Sequence, residues 1–399
     1  MQLGWVDFTQ EERKRITAII KKLHGKTAVD EIGIGTIRDA FSDILFPGSS
    51  TVQTRAKYFV LIPRIFQLAE EESFPNKRAV AAWIRKKEDE IALKMTQNSK
   101  KNSTGIIGSL GHGNLRKPSE IYWNGLKEWG ILIDETCSLS DVCDSVYEKS
   151  RTKHGYEQRR GKRYQTLDDN DYKNSVKELF VPMVGRGVYD LSQIKIELTR
   201  GEANYLYDRV VKSANEKMKG SLTRFLLLHP KIIMQAKMFA DIKINEMPKE
   251  LAHVTSLAQE FSDFSYGAHL LYNLEYAKQG TGVVPEKVCT ELKRWKSRWI
   301  GKTVRIGDIC DFAREKKADE KAITFIRDFY KHTRKKKLNE AKELVIEREK
   351  SIKHSRAKIG SDTKYKEVHM FPTQYRYAST RRILIDIIRG RRSHEEVVF

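Results

Sequence analysis

Apolar residues recur at three- and four-residue spacing along most of this chain, the period of helices that pack on helices. Thr9 and Glu12 form a capping box, and Ile16, Ile19, Ile20 and Leu23 then line one face until Gly25, which predicts a first helix. A second helix begins near Ile37, carries Phe41, Ile44 and Leu45, and stops at Pro47-Gly48. Ser49, Ser50 and Thr51 are suitable caps for a third, whose stripes (Ala56, Phe59, Val60, then Ile65, Phe66, Leu68) are interrupted by Pro63.

Between residues 98 and 113 the composition shifts to Lys, Asn, Ser, Thr and Gly, which marks a loop or hinge. Pro118 and Ser119 open a helix carrying Ile121, Tyr122, Leu126 and Trp129; Gly130 ends it before the apolar run Ile131-Leu132-Ile133. That order suits a helix-turn-helix with a small strand or wing. Ser138 with Asp141 caps a helix expected to reach about Lys149, followed by a basic, glycine-interrupted loop through Arg163. Thr199 and Glu202 make another capping box, opening a helical bundle that runs to about Lys278. Past Gly280-Thr281-Gly282 come long basic helices and a carboxy-terminal helix near 379–388. The fold class read from this pattern is mainly α: a multi-module helical protein with a winged-helix or helix-turn-helix-like segment. The expected modules are an N-terminal helical one (1–97), a winged-helix-like one with a basic loop (98–165), a helical bundle (166–280) and a basic helical one (281–399).

Charge changes this picture most. Lys and Arg number 74 against 53 Asp and Glu, a formal +21. From position 287 onward 31 basic residues face 16 acidic ones, so most of the excess sits in the last third and nucleic acid is favoured over a membrane surface. The apolar content of 40% suffices for real cores. No run approaches the roughly 20 apolar residues of a membrane span, and the start lacks the basic-then-apolar order of a secretion signal, so a cytoplasmic location is expected. The four cysteines, Cys137, Cys143, Cys289 and Cys310, have no Cys-x-x-Cys spacing, and no metal or cofactor is expected.

Three stretches are candidates for gripping DNA. In the 116–130 helix, Arg116 and Lys117 are placed for phosphates while Asn124 and Lys127 are placed for base edges; a helix packing its aromatic face into a core has the same pattern. The basic stretch after it contributes Arg151, Lys153, Arg159 and Arg160. In Lys293-Arg294-Trp295-Lys296-Ser297-Arg298-Trp299, one indole could stack on an unpaired base while Arg294, Arg298 and Lys302 hold the backbone, or both could be core. A possible second helix-turn-helix from Gly307 ends in Arg334, Lys335, Lys336 and Lys337, a turn almost wholly cationic that suits phosphate.

Catalytic motifs are incomplete. Gly33-Ile34-Gly35 meets Arg38 where a dinucleotide fingerprint needs its third glycine. Gly48-Ser49-Ser50-Thr51 lacks the Gly-Lys of a P-loop, and Asp190 with Glu197 is followed by Thr199 where a nuclease lysine belongs.

Several words resemble an uncharacterised bacterial family, a domain of unknown function associated with helicase and phospholipase-D-like genes in phage-defence islands. They are Leu3-Gly4-Trp5-Val6-Asp7-Phe8, the run from Asp30 through Gly33-Ile34-Gly35 to Phe41, the run from Phe46 through Thr54-Arg55-Ala56-Lys57 to Phe59, Pro118-Ser119-Glu120-Ile121-Tyr122-Trp123-Asn124-Gly125-Leu126, and Tyr375-Arg376-Tyr377. The likeness is dense in the first 65 residues and thin between 164 and 372. It implies a role in antiviral defence beside a helicase or nuclease partner and supplies no catalytic residue. Arg38, Asp39, Arg55 and Lys57 lie in its densest words, either as buried salt bridges between those helices or as a partner-binding or nucleotide-binding surface. The combined expectation is a non-enzymatic DNA-binding accessory subunit; the alternatives are a metal-dependent nuclease and an RNA-binding scaffold.

Overall fold

A computed structural model describes residues 30–100, 102–109, 116–160, 178–183, 191–361 and 363–392, and for 153–160 and 281 the backbone alone. The helix expected over 16–23 and the end of the basic loop past Arg160 lie outside these residues. The structure is mainly helical: α1 (Gly35–Leu45), α2 (Tyr58–Ala69), α3 (Lys77–Asn98), α4 (Pro118–Glu128), α5 (Leu139–Arg160), α6 (Arg200–Val211), α7 (Glu216–Lys219), α8 (Leu222–Leu228) and α9 (Pro230–Gln235). They are followed by α10 (Lys249–Thr281), α11 (Glu286–Trp299), α12 (Ile306–Glu315), α13 (Glu320–Arg334), α14 (Leu338–Lys353) and α15 (Tyr377–Arg392). Among the described residues the run after α4 forms only an isolated antiparallel bridge, Leu132 to Phe180.

The chain divides into two compact units interleaved in sequence: a first from 1–38 with 261–372, and a second from 39–260 with 373–399. The second unit is built around α2, which is buried on nearly every side, Tyr58 to Ala69. All-round burial explains why this helix continues through Pro63, where an interruption was expected: packing outweighs one lost backbone bond. Phe59 stacks at 4.1 Å on Trp129, and Phe66 meets Trp123 at 5.8 Å. Gly125 lets α4 come this close, since a Cβ there would lie 2.9 Å from the Gly48 carbonyl. The Tyr122 hydroxyl accepts the N–H groups of Thr54 and Arg55 at 2.7 and 2.9 Å. Those bonds, with Gln53 closing the turn before them through Ser50 N–H, replace the caps expected from Ser49 to Thr51.

Two expected caps form as read. Thr199 and Glu202 make the reciprocal box at the start of α6, and Ser138 and Asp141 exchange bonds at the start of α5. The expected stop near Lys149 does not occur: α5 runs on to Arg160, because one interior glycine, Gly155, costs a helix only about 1 kcal/mol.

In the first unit, Gly267 of α10 opens a slot for Trp295, whose ring carbon lies 2.0 Å from where a Cβ would stand. The Trp295 indole N–H donates to the carbonyls of Asp263 and Phe264, both at 3.1 Å. α13 buries Ala322, Ile323, Phe325, Ile326 and Phe329. Glu349 of α14, fully buried, accepts the Tyr272 hydroxyl at 3.0 Å and the N–H groups of Lys358 and Ile359 at 2.9 and 3.1 Å.

Candidate nucleic-acid interface

The last turn of α13 closes in a Schellman arrangement: Lys336 N–H donates to Thr333 and Lys337 N–H to His332, at 3.1 and 2.9 Å. The residue in the left-handed position is Lys336, with φ of 60°. Glycine is the usual occupant there, and a lysine costs about 1–2 kcal/mol more. Lys317, closing α12, has φ of 58° in the same role.

The loop after α11 lies against that turn. Gly301 N–H donates to the Thr333 carbonyl at 3.0 Å, and Arg334 donates to the Gly301 carbonyl. A Cβ on Gly301 would stand 3.0 Å from Lys336 Cε, so the lysine stem runs across the glycine. These contacts bring Lys302, Arg334, Lys335, Lys336 and Lys337, separated by some thirty residues of chain, to one end of the first unit, and all five are exposed.

Acids answer only part of this charge. Arg294 pairs with Glu291 at 2.7 Å, Arg298 with Asp263 at 2.8 Å, and Lys337 with Glu340 at 3.0 Å. Burial pushes the Asp263 carboxyl up, and Arg298 and Trp299 pull it back. The Glu340 carboxyl is held low by its own backbone N–H and then by Lys337. Lys302, Lys335 and Lys336 have no carboxylate partner among the described residues. The carboxyl end of a helix favours cations by about 0.3–1 kcal/mol, which accounts for Arg298 and Arg334 without any ligand. It does not account for a lysine held in the left-handed region. Trp295 is core, whereas Trp299 is half-buried, edge-on to Phe264 at 5.9 Å and overlaid by Arg298 at 5.5 Å.

A family model, the family of unknown function DUF6361, matches residues 1–291. The chain belongs to this family. No curated protein and no solved structure is detectably similar to it. The DUF6361 match takes in α1 to α10 and stops within α11, so the cations from Arg294 to Lys337 lie beyond it.

Within the matched part, the other expected site residues are placed differently. α4 is packed on its aromatic face, with Tyr122, Trp123 and Leu126 buried; of its expected groove contacts Asn124 is exposed and Lys127 half-buried. Lys127 lies near Asp134 and Asp141, whose carboxyls are held low chiefly by their own Thr136 and Ser138 turns. Arg116 is exposed, while Lys117 is buried with its ammonium 2.5 Å from Asp89. Arg151 lies on α5, exposed and 3.8 Å from Glu148; the side chains of Lys153, Arg159 and Arg160 lie outside the described residues.

Arg55 and Lys57, in the segment just before α2, form inward ion pairs with acids of other helices. Arg55 Nε lies 2.8 Å from Asp386, and Lys57 Nζ lies 2.7 and 2.8 Å from the two oxygens of Glu202, which also completes the α6 cap. Lys57 is 3% exposed and cannot meet a partner in this fold. Arg38 is half-buried and Asp39 exposed on α1. The Gly33-Ile34-Gly35 word serves the start of that helix: Asp30 accepts the N–H of Ile34 and Gly35, and Arg348 donates to the carbonyls of Ile32 and Gly33.

Among the described residues no three His, Cys, Asp or Glu are grouped to hold a metal ion, and no helix is long and apolar enough to cross a membrane. Sequence reasoning missed Gly301, whose role shows only once Thr333 and Lys336 stand beside it; a glycine directly after Lys296-Ser297-Arg298-Trp299-Ile300 was the available signal.

Proposed function

We propose that the protein is a DNA-binding accessory subunit that holds the phosphate backbone through Lys302, Lys335 and Lys336, acting in the cytoplasm beside a helicase or nuclease in antiviral defence. The observation that carries the binding part is the meeting of the α11–α12 loop with the α13–α14 turn, where three lysines have no carboxylate partner among the described residues and one occupies a strained backbone position. Strain kept at an exposed position is characteristic of functional sites. In this reading α12, residues 316–319 and α13 form the helix-turn-helix-like element, and the cationic carboxyl end of α13 grips phosphates. The defence role and the partner rest on the family resemblance alone.

Binding of a labelled 30-base-pair duplex at increasing salt tests this. Affinity should fall by on the order of 10³ between 50 and 200 mM salt for about six phosphate contacts. Replacing Lys302, Lys335 and Lys336 by Ser should lower the salt slope by about 3, equally for all sequences. A salt-independent affinity, or a triple variant indistinguishable from the parent, refutes the phosphate reading. Equal affinity for single-stranded RNA would replace DNA by RNA as the partner.

A further inference from the structure

The second unit carries a different cationic surface, made of arginine alone. On α15 the exposed residues Arg382, Arg389 and Arg392 are spaced by seven and three positions, which sets them on one face. The one acid of the described helix, Asp386, would interrupt that face but is turned inward, where it accepts Arg55 Nε at 2.8 Å and Ala56 N–H at 3.1 Å. The stripe is therefore left purely positive.

At its carboxyl end α15 comes close to α6. A Cβ on Gly390 would lie 2.8 Å from the Ala203 Cβ and 3.1 Å from that of Leu198. This approach lays Arg391 across α6: its Nε donates to Asn204 Oδ1 at 3.1 Å, and its guanidinium stands 3.6 Å from the centre of the Tyr207 ring. Arg200, also exposed, is one helical turn before Asn204 on the same face. The acids of α6 are occupied, Glu202 by Lys57 and Asp208 by Lys212 at 2.9 Å. Arg200, Arg382, Arg389, Arg391 and Arg392 have no carboxylate within ion-pair distance among the described residues.

We infer that this patch is a second phosphodiester-binding site, with Arg391 as its oriented clamp. Stacking on Tyr207 and the bond to Asn204 fix the guanidinium plane beforehand, so little rotamer freedom remains to be lost on binding. With Nε occupied, the two terminal nitrogens remain for end-on, two-pronged bonding to phosphate oxygens, a geometry that lysine cannot supply. Exclusive use of arginine fits such recognition better than it fits a merely solvated face. The inference rests on the nucleic-acid reading above, but on residues of the other unit.

The test uses the full chain and the same labelled duplex at 100 mM salt, with thermal melting to confirm folding. Arg391→Lys keeps the charge and removes the fork, and should weaken binding by about 5- to 10-fold. Arg389→Ser with Arg392→Ser, at exposed positions that leave the core intact, should reduce the salt slope by about 2. Lys243→Ser, an exposed cation elsewhere on the second unit, should change neither by more than the slope of one contact. If the Lys302, Lys335 and Lys336 triple variant loses affinity while Arg391→Lys and the Arg389/Arg392 pair bind as the parent does, the second site is refuted and the proposed function stands. If the chain ignores duplex and single strands but binds poly-glutamate through these arginines, both readings fall.

Discussion

Lys57 and Arg55 of the second unit and the cations at the α13 end of the first are used in opposite ways. Lys57 and Arg55 reach carboxylates 145 and 331 residues away in sequence, inside the packing of α2, α6 and α15. At the α13 end of the first unit, Arg294 and Lys337 meet acids three residues off on their own helices, and Lys302, Lys335 and Lys336 meet none among the described residues. Exposed pairs at short spacing contribute little, about 0.3–0.5 kcal/mol, whereas a buried cation and its acid depend on each other completely. Some cations elsewhere in the first unit are answered: Lys358 reaches Glu31 at 2.9 Å and Arg314 reaches Glu320 at 3.1 Å. Unanswered charge therefore gathers on particular surfaces, the α13 end and the arginine stripe of α15 among them, rather than following from the basic composition alone.

Breaking the inward kind should have the largest effect. Lys57→Met strands Glu202 without a cation and should cost about 3–5 kcal/mol, read by denaturant unfolding. Adding Glu202→Gln should recover part of that loss; if the single variant is as stable as the parent, the pair is not a structural bond.

Glu88 sharpens the comparison, being an inward carboxylate with too little compensation. It accepts the Ser119 N–H at 2.7 Å beneath the start of α4. Burial pushes its carboxyl up to about 7, against the pull of the Ser119 bonds and Lys117. Because the folded-state value is raised, the folded protein holds this proton more tightly than the unfolded chain. Stability should fall as pH rises from about 4.5 to 7, with the full cost present above that window. Glu88→Gln should flatten the dependence and stabilise the protein at pH 8 by on the order of 3 kcal/mol. Melting curves for both proteins at pH 5 and pH 8 check it, and parallel slopes exclude Glu88 as the cause.

The smallest effect concerns the outward kind. Lys336→Gly relieves the left-handed position and should raise stability by about 1 kcal/mol while lowering duplex affinity. A variant that is stabilised yet binds unchanged removes Lys336 from the interface.

Three helix ends were legible because their signals are local: Thr199 with Glu202, Ser138 with Asp141, and Gly130 closing α4 at φ of 61° all occur as read, whereas the caps expected from Ser49 to Thr51 were displaced by the distant Tyr122 hydroxyl. The charges were not, for a lysine with a distant acid and a lysine without one look alike in a linear chain. Lys57 and Lys336 are the plainest example. The arginine stripe of α15 had a signal, Arg382, Arg389 and Arg392 at helical spacing, but Asp386 concealed it until its contact with Arg55 was seen.

The interleaving of the two units bears on how the molecule is made. As the polypeptide leaves the ribosome, residues 30–38 emerge some 220 positions before the segment they pack with, and the body of the second unit emerges before α15 can cover it. The first unit cannot finish folding before residue 372 is made, and the second must wait for α15. Long-range closure of this kind is slow and leaves apolar surface uncovered meanwhile, so nascent chains stalled before residue 372 should be captured by chaperones.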